Sequence, residues 1–410
     1  MPDQASPALD PSVLPDLSDA ESFLIRVIAR LPRRRQWLQT KNHMQVKAAI
    51  LVAVREPLVV DDVDLAEPGR GEVLVKLAAS GLCHTDLHAM TGDRPRPLPA
   101  VLGHEGAGVV EAVGEGVARS RVGDHVICSW APNCGHCFFC DQGQPVLCEA
   151  LTAASPAGVL FDGTPRMSRH GQPVYHFTMV SSHAEYCVVP EGAAIPIPEE
   201  MPLDRACLIG CGVMTGVGAA MNVARVQPGT SVVVFGCGGV GLNVIQGARL
   251  ANAATIVAVD LNPRKLEWAR TFGATHTVDA TVVDPVEAVC DLTDGRGADY
   301  AFEAVGHPES IRNTLAAVRK GGRAVILGMA PAGTELSIPF DLLLGEKQIT
   351  RSSYGNARPR VEFPRLVQLY LQGKLLLDEL ISTRLSLADI NDGFARVAAG
   401  DVARAVVTFP

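Results

Sequence analysis

The sequence predicts an α/β protein in two domains, a small β-rich barrel and a doubly wound parallel sheet. Three observations carry that prediction. The chain has 410 residues, 47% of them hydrophobic, with 39 glycines and short valine-rich runs, a composition suited to many tight strand-to-helix turns. Its length exceeds the roughly 300 residues at which single cores stop growing. Finally, the apolar run Ser231 to Phe235 leads into Gly236-Cys237-Gly238-Gly239-Val240-Gly241 and then an apolar helical segment to about Leu250, so strand, glycine turn and helix follow in order.

Residues 1–43 open with a proline-rich acidic stretch. Ser18 and Glu21 then stand at capping-box spacing. Phe23, Leu24, Val27, Ile28 and Leu31 share one face of an expected helix that Pro32 ends, before Arg33, Arg34 and Arg35. From Lys47 the pattern becomes short valine-rich strands, Ala48 to Val54, Glu72 to Ala78 and Gly106 to Val113, which suits a barrel. Turn residues at Asp162-Gly163-Thr164 and Gly171-Gln172-Pro173 make Leu151 to Thr178 read as a long loop excursion. After Cys211 the order is strand, helix, strand. Thr255 to Val259 is closed by Asp260, and further strands are expected at Tyr300 to Val305 and Ala324 to Leu327.

Cys134, Cys137 and Cys140, with Cys148 beyond, have the spacing of four thiolates around one tetrahedral ion. Such a set leaves no open position and is structural; His136 inside the loop is read as a bystander. A second set is dispersed. Cys83-His84-Thr85-Asp86, Gly103-His104-Glu105 and Gly210-Cys211-Gly212 together offer two thiolates and one imidazole, the ligand count of a catalytic zinc with its fourth position open. In the nucleotide turn, the glycines allow close approach of a pyrophosphate to the helix amino end, and Asp260 can bind ribose hydroxyls.

A formal net charge of −8, without a basic stripe, argues against nucleic acid. The eleven cysteines are an odd number, and six fall in the metal sets; Cys128, Cys187, Cys207, Cys237 and Cys290 show no pairing pattern, so a reducing compartment is expected. No uninterrupted apolar run approaches the ~20 residues of a bilayer span, and the amino terminus has no signal-like pattern. A cytoplasmic protein without a membrane partner is expected.

In these ordered motifs, from about Met44 to Pro410, the chain resembles the zinc-dependent medium-chain alcohol dehydrogenases. The resemblance implies a GroES-like catalytic domain (44–212 and 354–410), an NAD-binding Rossmann domain (213–353), two zinc ions per chain and a homo-oligomer, dimer or tetramer. Cys83, His104 and Cys211 would hold the catalytic ion, and Cys134, Cys137, Cys140 and Cys148 the structural one. Asp86 would support His104, with Glu105 behind the metal. Thr85 and His88 match a proton relay. Gly236, Gly238, Gly239, Val240, Gly241, Asp260, Lys265 and Arg404 match cofactor positions. Trp130, Phe177, Thr178, Met329 and Ser353 would line the substrate pocket.

The expected reaction is hydride transfer between a primary alcohol or aldehyde and NAD, with permanently bound NAD as one alternative and a non-catalytic zinc and nucleotide-binding protein as another. A third alternative is oxidation of S-(hydroxymethyl)glutathione. The branch of the family that uses this adduct carries an arginine where this chain has Thr152 and an acid where it has Arg94. Both polar anchors are thus missing or reversed.

Overall fold

The structure, a computed structural model, describes residues 43–410. The expected helix from Ser18 to Leu31 lies outside the described residues. All the elements below lie in the compact unit Asn42–Pro410.

The first part of this unit is built from β1 (His43–Leu51), β2 (Val59–Ala66), β3 (Glu72–Gly81), β4 (Ala100–Val101), β5 (Glu105–Val113), β6 (His125–Cys128), β7 (Met167–Arg169), β8 (Gln172–His176), β9 (Tyr186–Pro190) and β10 (Ala194–Pro196). Strands β1, β2, β7, β8 and β4 close a barrel. The segment expected as a loop excursion therefore contributes two barrel staves, preceded by a helix, Glu149–Ala157. Met167 pairs with Leu65, and Ala100 with Tyr175. His170 and Gly171, with φ of 51° and 71°, make the two-residue connection whose positive φ angles match the twist of a hairpin. Strands of three and five residues are too short for a two-residue periodicity to stand out.

β11 (Ser231–Phe235), β12 (Thr255–Asp260), β13 (His276–Asp279), β14 (Ala298–Glu303), β15 (Val318–Ile326) and β16 (Gln348–Arg351) form an all-parallel sheet in the order β13-β12-β11-β14-β15-β16. The direction of winding reverses between β11 and β14. Beyond the carboxyl ends of strands at such a switch point lies the ligand crevice of doubly wound sheets.

The end of the chain adds β17 (Ile381–Leu385) and β18 (Arg404–Thr408) to the other sheet, whose order is β10-β6-β5-β3-β18-β17, with β9 also on β3. Val406 lies opposite Gly81, which carries Arg404 to the end of the strand that leads into Cys83. Connecting the sheets is the helix Leu203–Ala224. By length and a mean hydropathy of 1.6 this helix could cross a membrane, but 78% of that window is buried inside the fold. It packs in one continuous core with Ile50, Val63, Val234, Leu242 and Phe363. Two stretches of it, Ile209–Val213 and Ala219–Ala224, are π-helical.

Candidate active site

Cys83 caps the helix His84–Thr91, and its N–H donates to Asp86 Oδ2 at 3.2 Å. The other Asp86 oxygen accepts from Gly103 N–H at 2.9 Å and lies 3.4 Å from His104 Nδ1. A fully buried carboxylate thus ties the two motif fragments together and holds the imidazole from behind. Both His104 ring nitrogens are buried without a hydrogen-bond partner in the protein, Nδ1 facing Asp86. Cys211 comes to the same place from the π-helical turn, a distortion that recurs at functional sites. One ligand atom from each of Cys83, His104, Glu105 and Cys211 lies within 4.8 Å of the others.

Two thiols and an orphaned imidazole nitrogen at that spacing fit a zinc ion. The sulfurs also share charge suitably. Contact with Cys211, and with His104, holds Cys83 well below the ordinary thiol range, while the same contact pushes Cys211 up. The pair thus already favours one thiolate, the metal-binding form.

His183 was not legible as part of this site. Its ring is fully buried, with Nδ1 2.9 Å from Ser80 Oγ and Nε2 3.9 Å from Asp86 Oδ1. Burial pushes it down to about 4, so it packs as a neutral ring. Gly103, at φ 90°, is required here because a Cβ would fall 2.6 Å from His183 N and Nδ1.

Behind the cluster, Glu105 Oε1 accepts from Gly212 N–H at 3.2 Å and stands 3.5 Å from Arg404 Nη1. Burial pushes this carboxyl up to about 7, against the pull of Arg404. The Arg404 guanidinium is itself buried, and its Nη2 has no partner. A Cβ on Gly212 would overlap Nη2, and one on Gly239 would lie 2.5 Å from Nε. These glycines keep open a lane in which one cation touches both the Cys211 segment and the nucleotide turn.

Within that turn each glycine has its own reason. Gly236 sits at φ 92°, and a Cβ on Gly241 would overlap the Gly236 carbonyl. Around a Cβ on Gly238, by contrast, nothing lies within 4 Å, leaving a cradle in front of the helix Gly239–Leu250. Its first-turn N–H groups and buried arginine fit a pyrophosphate. Asp260 ends β12, accepting from Cys237 N–H at 2.7 Å and Asn262 N–H at 2.9 Å. Val240, half-buried, is the second residue of the helix, and Lys265 lies beside Gly400.

Thr85 Oγ1 is 3.6 Å from Cys83 Sγ. His88, partly exposed one helical turn on, meets Asp93 Oδ2 through Nδ1 at 3.2 Å. Phe177 lies 5.7 Å from the His104 ring, and buried Thr178 donates to the Phe177 carbonyl at 2.8 Å. Trp130 stacks on Tyr354 at 4.2 Å. Sequence reasoning missed Tyr354, whose hydroxyl donates to the Gly210 carbonyl, in the turn that presents Cys211. Met329 Sδ contacts Arg351 Nη2 at 3.6 Å. Ser353 is exposed, lining a surface cleft of about 760 Å³ with Asn222, Arg323 and Asn356; none of the Cys83 cluster lines it.

The four lobe cysteines also lie with their sulfurs within 4.8 Å of one another. Gly135 turns the loop at φ 82°, Cys134 N–H donates to Cys148 Sγ at 3.3 Å, and Cys137 and Cys140 sulfurs are 3.5 Å apart. The Glu149 N–H and other backbone donors lower Cys137 to about 6. This donor set fits a closed tetrahedral zinc site. His136 turns to the Cys134 carbonyl at 2.9 Å and stays exposed.

A parallel nucleotide-binding sheet and a barrel domain bearing one open and one closed thiolate set define a zinc-dependent dehydrogenase. Comparison with known proteins gives the particular family. Residues 69–199 match the alcohol dehydrogenase GroES-like domain, and residues 239–372 the zinc-binding dehydrogenase domain. The S-(hydroxymethyl)glutathione dehydrogenase of Synechocystis sp. is 42% identical over 370 residues, covering 89% of this chain and all of that protein. The alcohol dehydrogenase class-3 of Drosophila melanogaster is also 42% identical, covering 88% of this chain and 97% of that one. Among solved structures, benzyl alcohol dehydrogenase from Acinetobacter calcoaceticus superposes with a TM-score of 0.85 at 34% identity, over 90% of this chain and all of that one. The chain belongs to the zinc-dependent medium-chain alcohol dehydrogenase family, and it is an oxidoreductase that uses zinc and NAD.

Proposed function

We propose that this enzyme interconverts primary alcohols of apolar body with their aldehydes, using exchangeable NAD. The observation that carries the reading is the buried Cys83, His104 and Cys211 set with His104 Nε2 unpartnered. Zinc held there would supply Lewis acidity toward the alcohol oxygen, and NAD held at the glycine turn would supply the hydride acceptor. The chain's own residues do the rest. Asp86 orients His104, Phe177 and Trp130 exclude water, and Thr85 and His88 carry the alcohol proton outward. Arg404 and the first turn after Gly238 hold the pyrophosphate, and Asp260 the ribose. Residues 44–212 and 354–410 form the catalytic domain, 213–353 the coenzyme domain. A cytoplasmic homo-oligomer completes the reading.

The names of several relatives favour a second substrate, S-(hydroxymethyl)glutathione. Against it, the Thr152 hydroxyl turns back to the Cys148 carbonyl at 3.0 Å, and Arg94 is engaged with the Ala330 carbonyl at 2.8 Å. Comparing kcat/KM for benzyl alcohol, hexanol, 2-propanol and S-(hydroxymethyl)glutathione tests the choice: fastest turnover of the glutathione adduct, or of 2-propanol, would overturn it.

A further inference from the structure

Three fully buried polar side chains, Ser182, Ser80 and His183, stand in a row behind Asp86. Ser182 Oγ lies 2.7 Å from Ser80 Oγ, which lies 2.9 Å from His183 Nδ1. The other ring nitrogen, Nε2, is 3.9 Å from Asp86 Oδ1 and has no hydrogen-bond partner. Backbone contacts fix the row in place. Ser182 N–H donates to the Gly103 carbonyl and His183 N–H to the Leu102 carbonyl, each at 3.0 Å, while the ring meets Phe394 edge-on at 5.7 Å. Gly103 precedes His104, and Ser80 stands three residues before Cys83. His183 is thus packed against both segments that carry Cys83 and His104.

Proton counting orients the row. Asp86 accepts N–H groups from Cys83 and Gly103 at 3.2 and 2.9 Å and faces His104 Nδ1 at 3.4 Å, the setting of an ionised carboxylate, which can only accept. Burial pushes His183 down to about 4, against the pull of Asp86, so the ring carries a single N–H. The titratable groups that face it are Asp86 and, beyond, His104 and Cys83. A lone pair on Nε2 would point at the Asp86 charge, and in a buried site that repulsion is hardly screened. With the hydrogen on Nε2, Nδ1 accepts from Ser80 O–H and Ser80 accepts from Ser182 O–H. Every donor of the row then points toward the carboxylate. A carboxylate behind a ligand histidine raises the basicity of that histidine, and an added N–H dipole on the same oxygen, by stabilising its charge, weakens the pull.

We infer that His183 is a positioning residue of the active site: Ser80 and Ser182 fix its Nε2–H toward Asp86, and this donor restrains the pull of Asp86 on His104, so that the metal centre stays electrophilic. This rests on the reading of Cys83, His104 and Cys211 as the catalytic metal set of an alcohol dehydrogenase. It deepens that reading by placing control of the ion's acidity two residues behind its histidine ligand.

Histidine spectra test the row without turnover. Solid-state nitrogen-15 spectra of the intact enzyme labelled in histidine, with the His183 signal identified by its absence in His183→Gln, should show a neutral Nε2–H tautomer both above and below the ordinary histidine value of about 6.5. In Ser80→Ala part of that signal should move to the Nδ1–H tautomer. An Nδ1–H tautomer or an imidazolium in the unmodified enzyme overturns the assignment. Kinetics test the consequence. His183→Phe keeps a ring against Phe394 and should lower kcat for benzyl alcohol roughly tenfold, the lower end of the loss on removing a group that supports a metal ligand from behind, with KM for NAD unchanged. His183→Gln, whose amide can donate to Asp86 and accept from Ser80, should recover most of that loss. A dimethylaminocinnamaldehyde probe, bound with an unreactive tetrahydro form of NADH, absorbs at longer wavelength as its carbonyl oxygen is polarised. Its absorption should move to shorter wavelength in His183→Phe and return in His183→Gln. Unchanged kcat and absorption in His183→Phe, or a Gln variant as impaired as the Phe variant, overturn the proposal. Failure of every alcohol to react counts against the proposed oxidation alone, because the nitrogen spectra still read His183.

Discussion

The Arg404 guanidinium lies 3.5 Å from the Glu105 carboxylate, both groups buried, with Gly212 and Gly239 leaving the space for it. Removing one member of a buried pair strands the other charge, at a cost of about 3 kcal/mol or more. Arg404→Met is therefore expected to unfold at lower denaturant and to bind NADH at least about tenfold more weakly. The double variant Glu105→Gln/Arg404→Met should recover part of the stability and none of the NADH affinity. Denaturant titration and NADH fluorescence check the two halves separately, and equal stability of the single and double variants would refute the coupling.

Metal analysis is expected to return two zinc ions per chain, one for each thiolate set. Cys140→Ser should lose one ion and a substantial part of the thermal stability. Cys211→Ser should abolish turnover with a smaller effect on Tm, and normal activity in that variant would exclude Cys211 as a ligand of the catalytic ion.

Asp260 accepts backbone N–H groups from Cys237 and Asn262, which fixes a negative charge where a ribose 2′-phosphate would come. NAD should be preferred over NADP by kcat/KM, and Asp260→Asn should narrow the gap. A preference for NADP in the unmodified enzyme would overturn the assignment.

Positioned acid-base groups contribute ~100-fold or more, but water substitutes in part. His88→Ala should accordingly slow oxidation without abolishing it, most at low pH. An identical pH-rate profile would remove His88 from the relay.

His176 is buried, accepting from Arg166 N–H at 3.0 Å. Burial first, and the Arg166 charge second, push it down to about 3. Its folded form is thus neutral while the unfolded chain binds a proton near the ordinary histidine value of about 6.5. Its contribution to stability is present above about pH 6.5 and is lost as pH falls toward 3, at about 1.4 kcal/mol per unit. His176→Gln should lose less stability than the unmodified enzyme between pH 6.5 and 4 in parallel thermal melts.

What could be read from the sequence was what is contiguous in it. The lobe cysteines fall within fifteen positions, and the Gly236 to Gly241 turn declares its purpose because its glycines stand between a strand and a helix, with Asp260 at the end of the next strand. The dispersed Cys83, His104 and Cys211 set could be joined in the sequence only as a ligand count of two thiolates and one imidazole; that they meet is a matter of the fold. Tyr354 and His183 stayed hidden because their roles depend on what they touch across the fold, the Gly210 carbonyl and Gly103. So did the need for Gly212 and Gly239, which answers to a side chain that arrives from β18. The β7 and β8 hairpin escaped because its staves are shorter than any window in which alternation can be counted.

Cys211 reaches its neighbours from a helix wound wider than usual over Ile209–Val213. Each residue of a helix turns the chain by about 100°. Deleting one residue from that turn would restore regular winding and swing everything downstream by about that angle, while hardly altering the apolar character of the helix. The protein should therefore tolerate many exchanges of one aliphatic residue for another along Leu203–Ala224 yet be intolerant of a change in its length. Here the count of residues, as much as their identity, is what the active site depends on.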